Sequence, residues 1–130
     1  MKLPKHLREN RDRLALLRRF ANMVRGYVGV PVYLCGSAMA DFNADPRDWD
    51  IRIRLTNADF ERRFKIDAAR WLDEMHTGKW SKGRWNWSDF CVKLTKVGWK
   101  NTDLNIDLQI YPDLYWREYA GEPKVRIDTR

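Results

Sequence analysis

Cysteine, histidine and long apolar runs are all scarce in this sequence. Its two cysteines, Cys35 and Cys91, lie in apolar, strand-like runs and are expected as small core residues. Its two histidines, His6 and His76, have no Cys, Asp or Glu neighbour at metal-ligand spacing, so both are read as surface residues and no zinc site is expected. No apolar run approaches the length needed to cross a membrane, and the basic amino-terminal stretch lacks the unbroken apolar core of a signal peptide. A cytoplasmic protein without membrane association is therefore expected. Internal repeats, low-complexity tracts and linkers are missing too, which leaves a single domain over residues 1–130.

Charge and aromatic residues are plentiful. With 33% charged and 44% apolar residues the chain reads as globular rather than disordered. The net charge of +7 favours an anionic partner, for which a nucleotide, a nucleic acid and an acidic protein all qualify.

Periodicity divides the chain into helices and strands. Residues 5 to 28 carry Leu14, Leu17, Ala21, Val24 and Val28 at three- and four-residue spacing, which predicts one amphipathic helix ended by Gly26 or Gly29 with Pro31 following. Its other side bears Arg11, Arg18, Arg19 and Arg25, a solvated face or a surface for phosphate. Val32 to Cys35 is a short buried strand. Thr56 or Asn57 caps a second helix in which Phe60, Phe64, Ala68, Trp71 and Met75 form the core stripe, with Gly78 as its stop. Phe90 to Val97 is a strand candidate after a segment where Trp80, Trp85 and Trp87 interleave with Lys79, Lys82 and Arg84. That segment suits either a stacking platform for single-stranded nucleic acid or a cover for a sheet edge. A turn over 98–103 leads to a strand in which Leu104, Ile106, Leu108 and Ile110 alternate with Asn105, Asp107 and Gln109. A helical turn from Asp113 through Tyr119 and a loosely held tail over 121–130 complete the reading.

The densest chemistry lies between Leu34 and Leu55. Gly36-Ser37 ends a strand, and a glycine before a small hydroxyl lets backbone N–H groups approach phosphate oxygens. After ten intervening residues Asp48-Trp49-Asp50 opens the next strand. Alternation sends Asp48 and Asp50 to one face, about 7 Å apart, and Trp49, Ile51 and Ile53 to the other. Paired carboxylates repel unless a cation lies between them, and hard oxygen donors suit magnesium. Arg52 and Arg54 continue on the same face, where they can hold a triphosphate, pair with acids or occupy the metal region. Asp41 and Asp45 in the connecting loop are assigned turn and cap duties.

Gly36-Ser37, Asp48-x-Asp50 and the later Asp107 together resemble the DNA polymerase beta-like nucleotidyltransferase superfamily, in spacing and chain length its minimal branch. The resemblance implies an α+β fold, a small mixed β-sheet flanked by helices on one side. It also implies a magnesium-dependent nucleotidyltransferase that moves a nucleoside monophosphate, AMP from ATP, to a hydroxyl on a protein or nucleic-acid acceptor. On this reading Gly36 and Ser37 bind the triphosphate, with Arg52, Arg54 and Lys93 as further nucleotide-binding candidates. Asp48, Asp50 and Asp107 are the catalytic and metal-ligating residues for two Mg2+ ions. The minimal branch further implies a toxin-like protein partner. The alternative is a catalytically inactive nucleotide- or nucleic-acid-binding module that retains the fold.

Overall fold

The computed structural model describes residues 2–77, 91, 95, 104–118 and 121–128. The amino-terminal amphipathic segment forms two helices rather than one, α1 (Lys5–Arg8) and α2 (Arg11–Val28). Asn10 makes the break, because its side chain accepts a hydrogen bond from the Arg13 N–H at 3.1 Å and so caps α2. Apolar spacing runs straight through such a cap, which is why periodicity alone joins the two. α2 stops at Gly29, whose φ of 75° is the left-handed conformation that glycine adopts without a Cβ penalty.

A four-stranded sheet runs in the order β3-β2-β1-β4, with β1 at Val32–Cys35, β2 at Trp49–Leu55, β3 at Ile106–Pro112 and β4 at Lys124–Arg126. β1 is antiparallel to both β2 and β4, whereas β2 and β3 are parallel. The sheet is therefore mixed and the class α+β, which is the class the resemblance implies. Register puts Leu34 opposite Ile51 and Ile51 opposite Leu108, so one face is continuously apolar and buried. The opposite parity carries Cys35, Asp50 and Asp107 in one row and Tyr33, Arg52 and Gln109 in the next.

The parallel connection from β2 to β3 begins with α3 (Asn57–Phe64) and α4 (Ala68–Thr77). Thr56 caps α3 as expected, its Oγ1 accepting the Asp59 N–H at 3.1 Å. The single helix predicted up to Gly78 is divided, because Lys65 adopts φ 58° and closes α3. Trp71 of α4 packs on Phe60 of α3 at 5.2 Å between ring centroids, and on Tyr111 of β3 at 5.7 Å. Burying rings of this size contributes about 2 to 3 kcal/mol each, so this aromatic cluster does much to fix α4.

Three further expectations are corrected. The strand predicted over Phe90 to Val97 is not one at its described positions: Cys91 and Thr95 are helical, and Thr95 Oγ1 donates to the Cys91 carbonyl at 2.7 Å, one helical turn back. The tail after Gly121 is anchored rather than loose, since β4 pairs with β1 and Asp128 is buried. Helices do not keep to one side of the sheet. α5 (Asp113–Glu118) lies on the polar face, where Trp116 meets Tyr33 at 5.6 Å and Tyr115 stacks on Tyr111 at 3.9 Å. The tryptophan-rich segment, the 98–103 turn, Gly78 and Tyr119 lie outside the described residues. No helix among the described residues is long and apolar enough to cross a membrane.

Candidate functional site

The polar face is covered by α5 towards the carboxyl end of β2, and Asp50 sits at the other end beside the turn that follows β1. That turn, Gly36–Met39, is a short 3-10 helix entered directly from the strand. Gly36 has φ 72°, and a Cβ built there would overlap Asp50 Oδ2 and lie 3.0 Å from Asp50 Cγ. Backbone conformation and close approach thus both demand glycine, and the carboxylate of Asp50 rests against the Gly36 main chain. Ser37 follows, with its carbonyl accepting the Ala40 N–H and the Asn43 side chain, both at 3.2 Å.

His6 supports this turn from behind. Its Nε2 lies 2.7 Å from the Ala38 carbonyl, and since a carbonyl only accepts, Nε2 carries the proton. The ring also meets Trp49 edge-on at 5.9 Å. The assignment of His6 to the surface is therefore overturned: it is buried. Nothing in the local sequence signals this, because its partners lie more than thirty residues away. Asp41 has the capping duty assigned to it, accepting the Lys5 N–H at the start of α1 at 2.9 Å.

The three aspartates occupy neighbouring positions. Asp50 and Asp107 are direct register partners on the parallel strands, with backbones about 4.8 Å apart. Asp48 immediately precedes β2. Burial pushes the Asp50 carboxyl above its usual range, and the negative charges of Asp107 and then Asp48 push it further, while Arg52 pulls it back. Repulsion felt at Asp50 from both other carboxylates is what a shared acidic site requires. Each outer aspartate is held by an amide: Asn105 Nδ2 donates to Asp48 Oδ1, and Gln109 Nε2 donates to Asp107 Oδ2 at 2.6 Å.

The arginines are placed differently from a triphosphate clamp. Arg52 donates to Gln109 Oε1 at 2.7 Å and forms an ion pair with Glu122, a residue the sequence reading did not single out. Its guanidinium also lies 5.8 Å from the Tyr111 ring centre. Arg54 pairs with Asp113 at the start of α5, its Nε 2.6 Å from Oδ1. Neither occupies the space between Asp50 and Asp107 as a bonded partner of both. Lys93 lies outside the described residues. Phe42, in the loop between Ser37 and Asp48, is 91% exposed, a large aromatic turned to solvent that the sequence reading passed over.

Hard carboxylate oxygens are donors of the kind magnesium takes, and the repulsion at Asp50, which Arg52 only partly offsets, is of the kind a divalent cation removes. In kind, the donor set fits. In arrangement it is not closed: among the described residues no group of three or more His, Cys, Asp or Glu side chains is gathered so as to hold a metal ion. The amides of Asn105 and Gln109 each take one oxygen of the outer aspartates, Asp48 Oδ1 and Asp107 Oδ2, and leave the second oxygen of each as a donor for a metal ion. When bound, such ions neutralise charge on the entering and leaving oxygens of a displacement at phosphorus. Searches against protein-family models, curated proteins and solved structures return no match to this chain.

Proposed function

We propose that the chain is a magnesium-dependent nucleotidyltransferase that moves AMP from ATP to a hydroxyl on a protein or nucleic-acid acceptor. The observation that carries the reading is Asp50 set in register with Asp107 while its carboxylate rests on Gly36 of the turn. That contact brings the two halves of the resemblance, Gly36-Ser37 and the aspartates, to one spot. Gly36 and Ser37 present backbone N–H groups to the triphosphate, and the smallness of both keeps the approach open. Asp48, Asp50 and Asp107 hold the divalent cations. Asp107, exposed at the open edge of the site, is placed to take the proton of an incoming hydroxyl. Arg52 keeps Gln109 and Glu122 in place beside it, a positioning role.

The test is release of pyrophosphate from labelled ATP with magnesium and candidate acceptors. Release by the unsubstituted chain, abolished in the Asp50→Asn, Asp107→Asn double variant, is the expected result. A second reading, an inactive nucleotide-binding module, is favoured by one observation: the outer aspartates are bound to amides and no closed metal group exists among the described residues. Nucleotide binding that is indifferent to magnesium, with no pyrophosphate released, would establish that reading instead.

A further inference from the structure

A second concave feature lies on the amino-terminal helices. A groove of about 720 Å³ lies along the outer face of α2 beside the end of α1, lined by Arg8, Arg11, Arg18 and Arg19 together with Leu14, Ala15 and Asn22. Among the described residues no carboxylate lines it and none of the four arginines is ion-paired. Arg25, Arg52, Arg54, Arg62, Arg70, Arg117 and Arg126 each have a carboxylate partner, whereas Arg13 outside the groove donates to the Ala44 carbonyl. Arg18 Nε is in addition buried without a hydrogen-bond partner, a donor left unmatched in the folded chain. Four guanidinium groups gathered without counter-charge repel one another, and such a gathering is relieved by an anion.

The shape of the feature narrows the anion. Arg11 to Arg19 spans about 12 Å of helix, the length of roughly three phosphates along one nucleic-acid strand and too long for a single phosphate. Among the described residues no aromatic side chain lines the groove, so the recognition argued here rests on its arginines. Arginine, with its planar fork of donors, matches phosphate oxygens in pairs. We infer that this groove binds the phosphate backbone of a nucleic acid without regard to sequence. It goes beyond the catalytic reading, and it stands whether or not that reading does.

The experiment is fluorescence anisotropy with short labelled DNA duplex, RNA duplex and single strands, titrated at several salt concentrations without nucleotide or magnesium. Binding should weaken steeply with salt. The Arg11→Gln, Arg18→Gln, Arg19→Gln variant should bind at least about tenfold more weakly, with a log–log salt slope shallower by about 3. The Arg11→Gln, Arg19→Gln pair, which alters only exposed side chains, should lose part of the affinity and so keeps the test valid if Arg18 is needed for folding. The charge-matched variant Arg62→Gln, Arg70→Gln, Arg117→Gln, at positions that do not line the groove, should retain it. The Asp50→Asn variant should bind as the unsubstituted chain does, which separates this result from failure of the catalytic reading. Equal loss in the charge-matched variant, a flat salt response, or stronger competition by polyglutamate than by any duplex would each overturn the inference, the last in favour of an acidic protein. Comparison of the DNA, RNA and single-strand arms identifies which backbone is preferred.

Discussion

At Gly36 two constraints fall on one residue. A side chain there must adopt φ 72°, and its Cβ must share space with Asp50 Oδ2. The left-handed conformation alone costs roughly 1 to 2 kcal/mol for an L-residue, so Gly36→Ala should lower stability by at least that amount and displace Asp50. Thermal unfolding checks the first effect, and loss of magnesium-dependent ATP binding the second. Asp50 offers a finer probe. Its carboxyl is raised by burial first and by the Asp107 charge second, so Asp107→Asn should lower the Asp50 pKa. Carbon-detected NMR titration of the Asp50 carboxyl reads this directly, and an unchanged midpoint would mean the two carboxylates do not sense each other. Cys35 lies in the same row of the sheet. Burial pushes its thiol up to about 12, with Arg52 only partly opposing.

At the scale of elements, the strands were the most legible feature because their alternation is strict. Residues 49 to 55 and 106 to 112 place every second side chain in the core, and the parity that buries Ile51 and Leu108 leaves Asp50 and Asp107 on one polar face. Helix boundaries were less legible. Asn10 and Lys65 interrupt apolar stripes that continue in phase on either side, so spacing cannot reveal them. β4 was invisible for another reason: three residues carry little periodicity, and what holds them is remote. Asp128, just past β4, accepts from the Val32 N–H at 2.9 Å and from Arg25 at 3.0 Å, joining the tail to β1 and α2. Burial by itself would raise this carboxyl, but hydrogen bonds from Arg126, Val32 and Arg25 outweigh it and hold the group at about 2. A carboxylate with a depressed folded pKa stabilises the fold above its unfolded value near 4, and that contribution disappears as pH falls towards about 2. Asp128→Asn should therefore cost about 2 kcal/mol at neutral pH. The variant should also flatten the stability profile between about pH 4 and 2. Urea unfolding across that range measures both.

For the whole molecule, the two faces of the sheet divide the work. The apolar face is closed by α1 and α2, whose outer arginines face the other way into their own groove. The polar face holds a covered half under α5 and an open half with the aspartates. In a chain of +7 net charge, several of the described carboxylates are paired with arginines, whereas Asp50 is repelled by Asp107 and Asp48 and the groove gathers four arginines without an ion pair among the described residues. The identity of the polar face was legible in the sequence, whereas the buried His6, the Arg52–Glu122 pair and the amide partners of the aspartates were not, because each depends on contacts between distant segments.

The central claim is that Asp48, Asp50 and Asp107 converge on divalent cations when a triphosphate is present. Manganese, a paramagnetic substitute for magnesium, broadens NMR signals of carboxyl groups that approach it. With a non-hydrolysable ATP analogue, the carboxyl resonances of Asp48, Asp50 and Asp107 should broaden together at substoichiometric manganese while those of Asp41 and Asp128 stay sharp. Broadening of one alone, or of none, would contradict the account.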